Sequence, residues 1–119
     1  MIYEDEAALA FLDINPCAPG HAMVIPKVHA GNIIDLREEL VGPLFLAVKK
    51  LTEKLQKVLS PQGFTIGINQ GSIAGQAIDH LHIHVIPRYE GDGGGSLHSV
   101  VHFAGKEPVG EIAKKINNK

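Results

Sequence analysis

The chain has 119 residues, 45% of them apolar, with 11 Lys and Arg against 13 Asp and Glu and a formal net charge of −2. That size suits a single domain spanning residues 1–119 around one core, and the charge leaves no broad basic surface to hold a long nucleic acid. A lone cysteine, Cys17, excludes an internal disulfide and a CxxC zinc module; no apolar run approaches the ~20 residues of a membrane span. With no leader-like start, a cytoplasmic protein without membrane contact is expected.

In chain order, AALAFLDI at 7–14 and AMVIP at 22–26 read as short strands paired through the turn-rich segment 15–20. Asp35 with Glu38 resembles a capping box, but Gly42 and Pro43 interrupt the first turns after it, so a helix is expected to start at Pro43. From there Leu44, Val48, Leu51, Leu55, Val58 and Leu59 recur at helical spacing up to Ser60-Pro61. Strands are expected over 64–69 and 80–86, joined by a glycine-bearing polar loop. Residues 91–95, GDGGG, read as a mobile surface loop beside the site. A last short helix is expected near Pro108, with Val109, Ile112 and Ile116 on one side.

Three of the seven histidines fall within five residues. In an extended strand His80, His82 and His84 share one face while Leu81, Ile83 and Val85 share the other. The apolar set can pack against the long helix, leaving three imidazoles on an accessible surface. An ordinary half-exposed strand and a metal-binding strand are the competing readings. A closed zinc site wants four ligands, however, and no cysteine pair is present to complete it.

HLHIHVI at 80–86, followed by PR, resembles the signature of the histidine triad family. AFLDINPCAPGHAMVIPKVH at 10–29 and NQGSIAGQAIDH at 69–80 resemble two further family blocks in the same order. The resemblance implies an α+β fold: a mostly antiparallel sheet of about five strands, a long helix across it, a short C-terminal helix and assembly as a homodimer. It implies that His82 is the nucleophile, that the backbone carbonyl of His80 holds its ring, and that His84 lines the phosphate side. Asp13 matches the ribose-binding carboxylate and Asn69 an amide near the phosphate. Gly75, Gln76 and Ala77 match a loop offering backbone N–H groups. Phe11 and Ile14 match the base pocket and His21 an upstream histidine of the site. On generic grounds Asp13 and Asn69 are turn formers, and Phe11 and Ile14 are plain core.

The activity implied is hydrolysis or transfer at the α-phosphate of a nucleoside phosphoramidate or related purine nucleotide conjugate, through a nucleotidyl-histidine. Dinucleoside polyphosphate hydrolysis, a nucleotide-binding module with little turnover and a metal-binding protein stand as alternatives. No metal and no cofactor are expected: His29 and His80 supply at most two ligands of the zinc site found in some relatives. Family members carry about a dozen residues ahead of the position matching Met1. Without that piece of the base pocket wall, base discrimination is expected to fall more than affinity for the sugar phosphate.

Overall fold

A computed structural model describes residues 1–118. The elements are β1 (Tyr3–Glu4), β2 (Ala8–Leu12), β3 (Ala22–Pro26), α1 (Glu38–Leu59), β4 (Gly63–Gly67), β5 (Ile83–Arg88) and α2 (Val109–Asn117). Short 3-10 turns lie at Ser72–Ala74 and Leu97–Ser99. All neighbouring strands are antiparallel, in the order β1-β2-β3-β5-β4, and α1 packs on one face of the sheet. This is the α+β arrangement that the resemblance implies, a five-stranded antiparallel sheet with a long helix across it and a short C-terminal helix.

The core forms where strand and helix periodicities meet. Ala8, Ala10, Ala22, Val24, Ile83 and Val85 point from the sheet onto Leu44, Ala47, Val48, Leu51 and Leu55 of α1, and all are buried. Small alanines on β2 and β3 let the helix approach closely. On the opposite face the strand register aligns Phe11 with Met23, Met23 with His84, and His84 with Gly67. That row crosses four strands and floors the candidate site.

Several expected boundaries move. The long helix begins at Glu38, not at Pro43, and Pro43 sits inside it. Its fixed φ is helical, and the hydrogen bond it forfeits would have run to Glu39, whose carbonyl belongs to an exposed residue at the start of the helix. Asp35 and Glu38 form no capping box, since the N-cap is Arg37 without a side-chain cap, and the Asp35 N–H instead donates to Asn32 Oδ1 at 3.0 Å. Both later strands shift, to 63–67 and 83–88. The two-residue β1 was not anticipated; the Asp5 carboxylate nucleates its turn by accepting from the N–H groups of Ala7 and Ala8. Residues 91–95 are not free of the body: Asp92 accepts from Arg88 Nε at 2.7 Å, and Arg88 Nη1 reaches the Gly95 carbonyl at 2.6 Å. α2 starts after Pro108 as expected, yet none of its residues is buried. No helix among the described residues is long and apolar enough to cross a membrane.

Candidate active site

Alternation in burial runs through Leu81, Ile83 and Val85, with His80, His82 and His84 half-buried on the other side. The ladder starts only at Ile83, while Leu81 is anchored separately by donating its N–H to the Ala30 carbonyl at 2.7 Å. The His80 carbonyl is therefore available to a side chain, and His82 Nδ1 lies 2.9 Å from it. A carbonyl oxygen only accepts, so Nδ1 carries the proton and Nε2 keeps its lone pair.

A cavity of about 480 Å³ opens over this face, and among its lining residues are Phe11, Asp13, Ile14, Asn69, His82 and His84. Gly75 and Ala77 also line it, so eight of the residues singled out in the sequence converge there. His80, His21 and Gln76 do not line it. His80 turns its ring away, with Nε2 3.3 Å from the Pro26 carbonyl. Met23 and Ile78 are lining residues that sequence reasoning missed. For Met23 the signal was present, because Ala22 and Val24 are buried and the residue between them must face the other way.

The Ser72–Ala74 turn corrects one expectation. The Gly75 N–H bonds to the Ser72 carbonyl at 3.0 Å and the Gln76 N–H to the Gly71 carbonyl at 3.1 Å, closing the loop on itself. Only the Ala77 N–H, of the three expected donors, lacks a partner among the described residues. Gln76 braces the loop, its Nε2 donating to the carbonyls of Gly31 (2.6 Å) and Ile78 (3.0 Å). Asp13 is a turn former, its Oδ1 accepting the Asn15 N–H at 2.8 Å, and it also lines the cavity.

His21 is 4% exposed and links the turn to the histidine face. The Cys17 N–H points at its Nδ1 (3.1 Å), so the ring proton resides on Nε2, which donates to His84 Nδ1 at 2.9 Å. His84 is thereby left with its own N–H on Nε2. Asp13, His21 and His84 are the one group among the described residues whose ligand atoms gather closely enough to suggest a metal. Their geometry does not suit one. Nitrogens sharing a tetrahedral ion at ~2.0–2.1 Å would sit ~3.3 Å apart, wider than this hydrogen bond. Coordination through His21 Nε2 would also force its proton onto Nδ1, against the Cys17 N–H. The His29 and His80 rings lie with centroids 5.5 Å apart and planes tilted by 59°, and among the described residues no third ligand joins them.

Burial, then the neighbouring His82 and His21, push the His84 pKa below the ordinary 6.5, against a smaller opposing pull from Asp13. The unfolded chain therefore takes up this proton first as pH falls. The stability held by neutral His84 is complete above pH 6.5 and drains away below it. Urea unfolding at pH 7.5 and pH 5 should show a smaller acid loss for His84→Gln than for the wild type; equal losses would contradict this origin.

A family model described as "HIT domain" matches residues 1–91. The chain belongs to the HIT domain family. A HIT-like protein of Methanocaldococcus jannaschii is 46% identical over 93 residues, which cover 78% of this chain and 71% of that protein. The crystal structure of a HIT family member from Bacillus subtilis, 38% identical, superposes with a TM-score of 0.84 over 99% of this HIT chain and 85% of that one. The adenosine 5'-monophosphoramidase of Schizosaccharomyces pombe is 42% identical over 85 residues, 71% of this chain and 61% of the enzyme. The asymmetrical bis(5'-nucleosyl)-tetraphosphatase of the same yeast is 36% identical over 92 residues, 77% of this chain and half of the enzyme.

Proposed function

We propose that this HIT protein is a nucleotide hydrolase or transferase acting at the α-phosphate of nucleoside phosphoramidates or related conjugates, with His82 as nucleophile. The observation that carries the reading is the 2.9 Å contact between His82 Nδ1 and the His80 carbonyl, which fixes the tautomer an attacking Nε2 needs. In this reading Nε2 forms a bond to phosphorus while the bond to the leaving amine breaks. The amine departs with that electron pair and with the proton a zwitterionic phosphoramidate already carries. Water then forms the new P–O bond, the P–N pair returns to Nε2 and the surplus proton goes to solvent.

Charge on the non-bridging oxygens meets His84 Nε2–H, the Asn69 amide and the Ala77 N–H. Asp13 takes the ribose hydroxyls, and Phe11, Ile14 and Met23 give apolar walls for a purine base. His21 and Gln76 act through the groups they hold. The similarity to the yeast monophosphoramidase supports this reading. The similarity to the yeast tetraphosphatase favours dinucleoside polyphosphates as the second reading.

A turnover panel of adenosine phosphoramidates and dinucleoside polyphosphates, scored by release of nucleoside monophosphate, tests both. No release from any member would leave a binding module. No step of this reaction uses a metal, so exhaustive chelation should leave turnover within about two-fold; loss that stoichiometric zinc restores would refute this. The functional unit proposed is a homodimer, supported by the unburied Val109, Ile112 and Ile116 of α2. Light scattering that returns the monomer mass at assay concentrations would refute that part.

A further inference from the structure

Met23 stands at the middle of the site face. Its register partners are Phe11 on β2 and His84 on β5, and His82 lies diagonally across, two residues before His84 on the same face. Ala22 and Val24 on either side are fully buried, so strand alternation keeps the thioether out of the core. The side chain is half-buried and lines the 480 Å³ cavity, open to any small solute that enters there. Directly opposed residues have Cβ atoms ~4.5–5.5 Å apart, a gap that an unbranched side chain spans. The chain has two methionines, and the other, Met1, is 76% exposed and does not line the cavity.

An apolar wall needs only an aliphatic side chain, whereas a thioether adds chemistry. A two-electron oxidant such as hydrogen peroxide transfers one oxygen to the sulfur. The S–O bond forms from a sulfur lone pair as the O–O bond breaks, sulfur is oxidised to the sulfoxide, and the departing hydroxyl takes the remaining proton and leaves as water. The product keeps the reach of methionine but carries a strong acceptor and no donor. His84 is the donor it faces. His84 Nδ1 is occupied in accepting from His21 Nε2 at 2.9 Å, so Nε2–H is the one proton that the neutral ring has to give. A sulfoxide oxygen beside it takes the proton meant for the phosphate oxygens, and a base laid over it buries a polar group in what had been an apolar wall.

We propose that Met23 is a reversible oxidation site that switches this cavity off: the thioether form admits a nucleotide, and the sulfoxide form ties up the His84 donor and spoils the base wall. The proposal rests on the reading of the cavity as the nucleotide site. A methionine sulfoxide reductase supplied with a dithiol reverses it, the thiols giving two electrons and two protons and ending as a disulfide while the sulfoxide oxygen leaves as water. Oxidation at the one cysteine is separable. Cys17 does not line this cavity, and Cys17→Ser keeps the contact to His21 Nδ1, which comes from the backbone N–H.

The test treats the full chain carrying Cys17→Ser with hydrogen peroxide and follows oxygen uptake at each methionine by peptide mapping. Two readouts are taken, kcat/KM for adenosine 5'-phosphoramidate and the affinity for adenosine monophosphate, each against the untreated sample of the same variant. Oxidation at Met23 should lower kcat/KM about ten-fold or more and the affinity about five-fold, and the reductase should restore both. Met23→Leu in the same background should hold its own untreated values through the same dose. Met23→Gln, which sets an uncharged carbonyl acceptor at similar reach, should fall short of Met23→Leu without any peroxide. Three results overturn the switch: a thioether intact at Met23 when Met1 is oxidised, a sulfoxide at Met23 with both readouts unchanged, or equal losses in Met23→Leu. If untreated protein binds the monophosphate but turns nothing over, the hydrolase reading falls and the affinity alone decides the switch. Absence of binding as well overturns both.

Discussion

Replacing His82 with Asn should lower turnover by roughly 10³-fold or more while nucleoside monophosphate binding stays within a few-fold. Asparagine keeps a polar group in the cavity but has no nitrogen lone pair to attack phosphorus. His80→Asn should cost less, about ten-fold at most, because the acceptor for His82 Nδ1 is the backbone carbonyl of residue 80, not its side chain. In the wild type, rapid quench with a slowly resolved substrate should trap an adduct that is labile in acid and stable in base, as a phosphoramidate of imidazole would be. Peptide mapping should place it on residue 82. Near-normal turnover in His82→Asn, or an adduct on His80 or His84, would reassign the nucleophile.

The second large effect is expected on stability. Leu81 is 1% exposed, lies between two histidines of the site and packs into the core beneath them. Leu81→Ala should destabilise the protein by about 2–5 kcal/mol, the usual range for a buried leucine whose cavity only partly collapses. Against a total of roughly 5–15 kcal/mol this is a large share, read as a fall in the urea midpoint at fixed protein concentration. A loss under about 1 kcal/mol would mean that the core is not what holds the histidine segment in place.

Features that derive from side-chain period were legible in the sequence. Alternation between His80 and Val85 separates the core face from the site face, and the spacing from Leu44 to Leu55 gives the helix that covers the core. Features that depend on backbone partners were not. Pro43 reads as a helix start because its missing N–H is counted against an interior position; at the second turn, on the exposed side, that cost is tolerable. The N–H groups of Gly75 and Gln76 look available until the 3-10 turn claims them. Gly67 carries no local signal: its place opposite His84 at the end of the row comes from register alone.

The late start of β5 bears on anyone wishing to transplant this chemistry. Three histidines at alternate positions of a fully hydrogen-bonded strand would present the same three rings on one face. In such a graft the carbonyl two residues before the central ring would already be spent on a neighbouring strand. The imidazole would exchange between its two neutral forms, and part of the population would offer an N–H where a nucleophile is needed. A designer should therefore copy the frayed end along with the histidines, with its Leu81 to Ala30 anchor and its idle carbonyl, and accept a shorter ladder as the condition for a ring that faces its target in one protonation pattern.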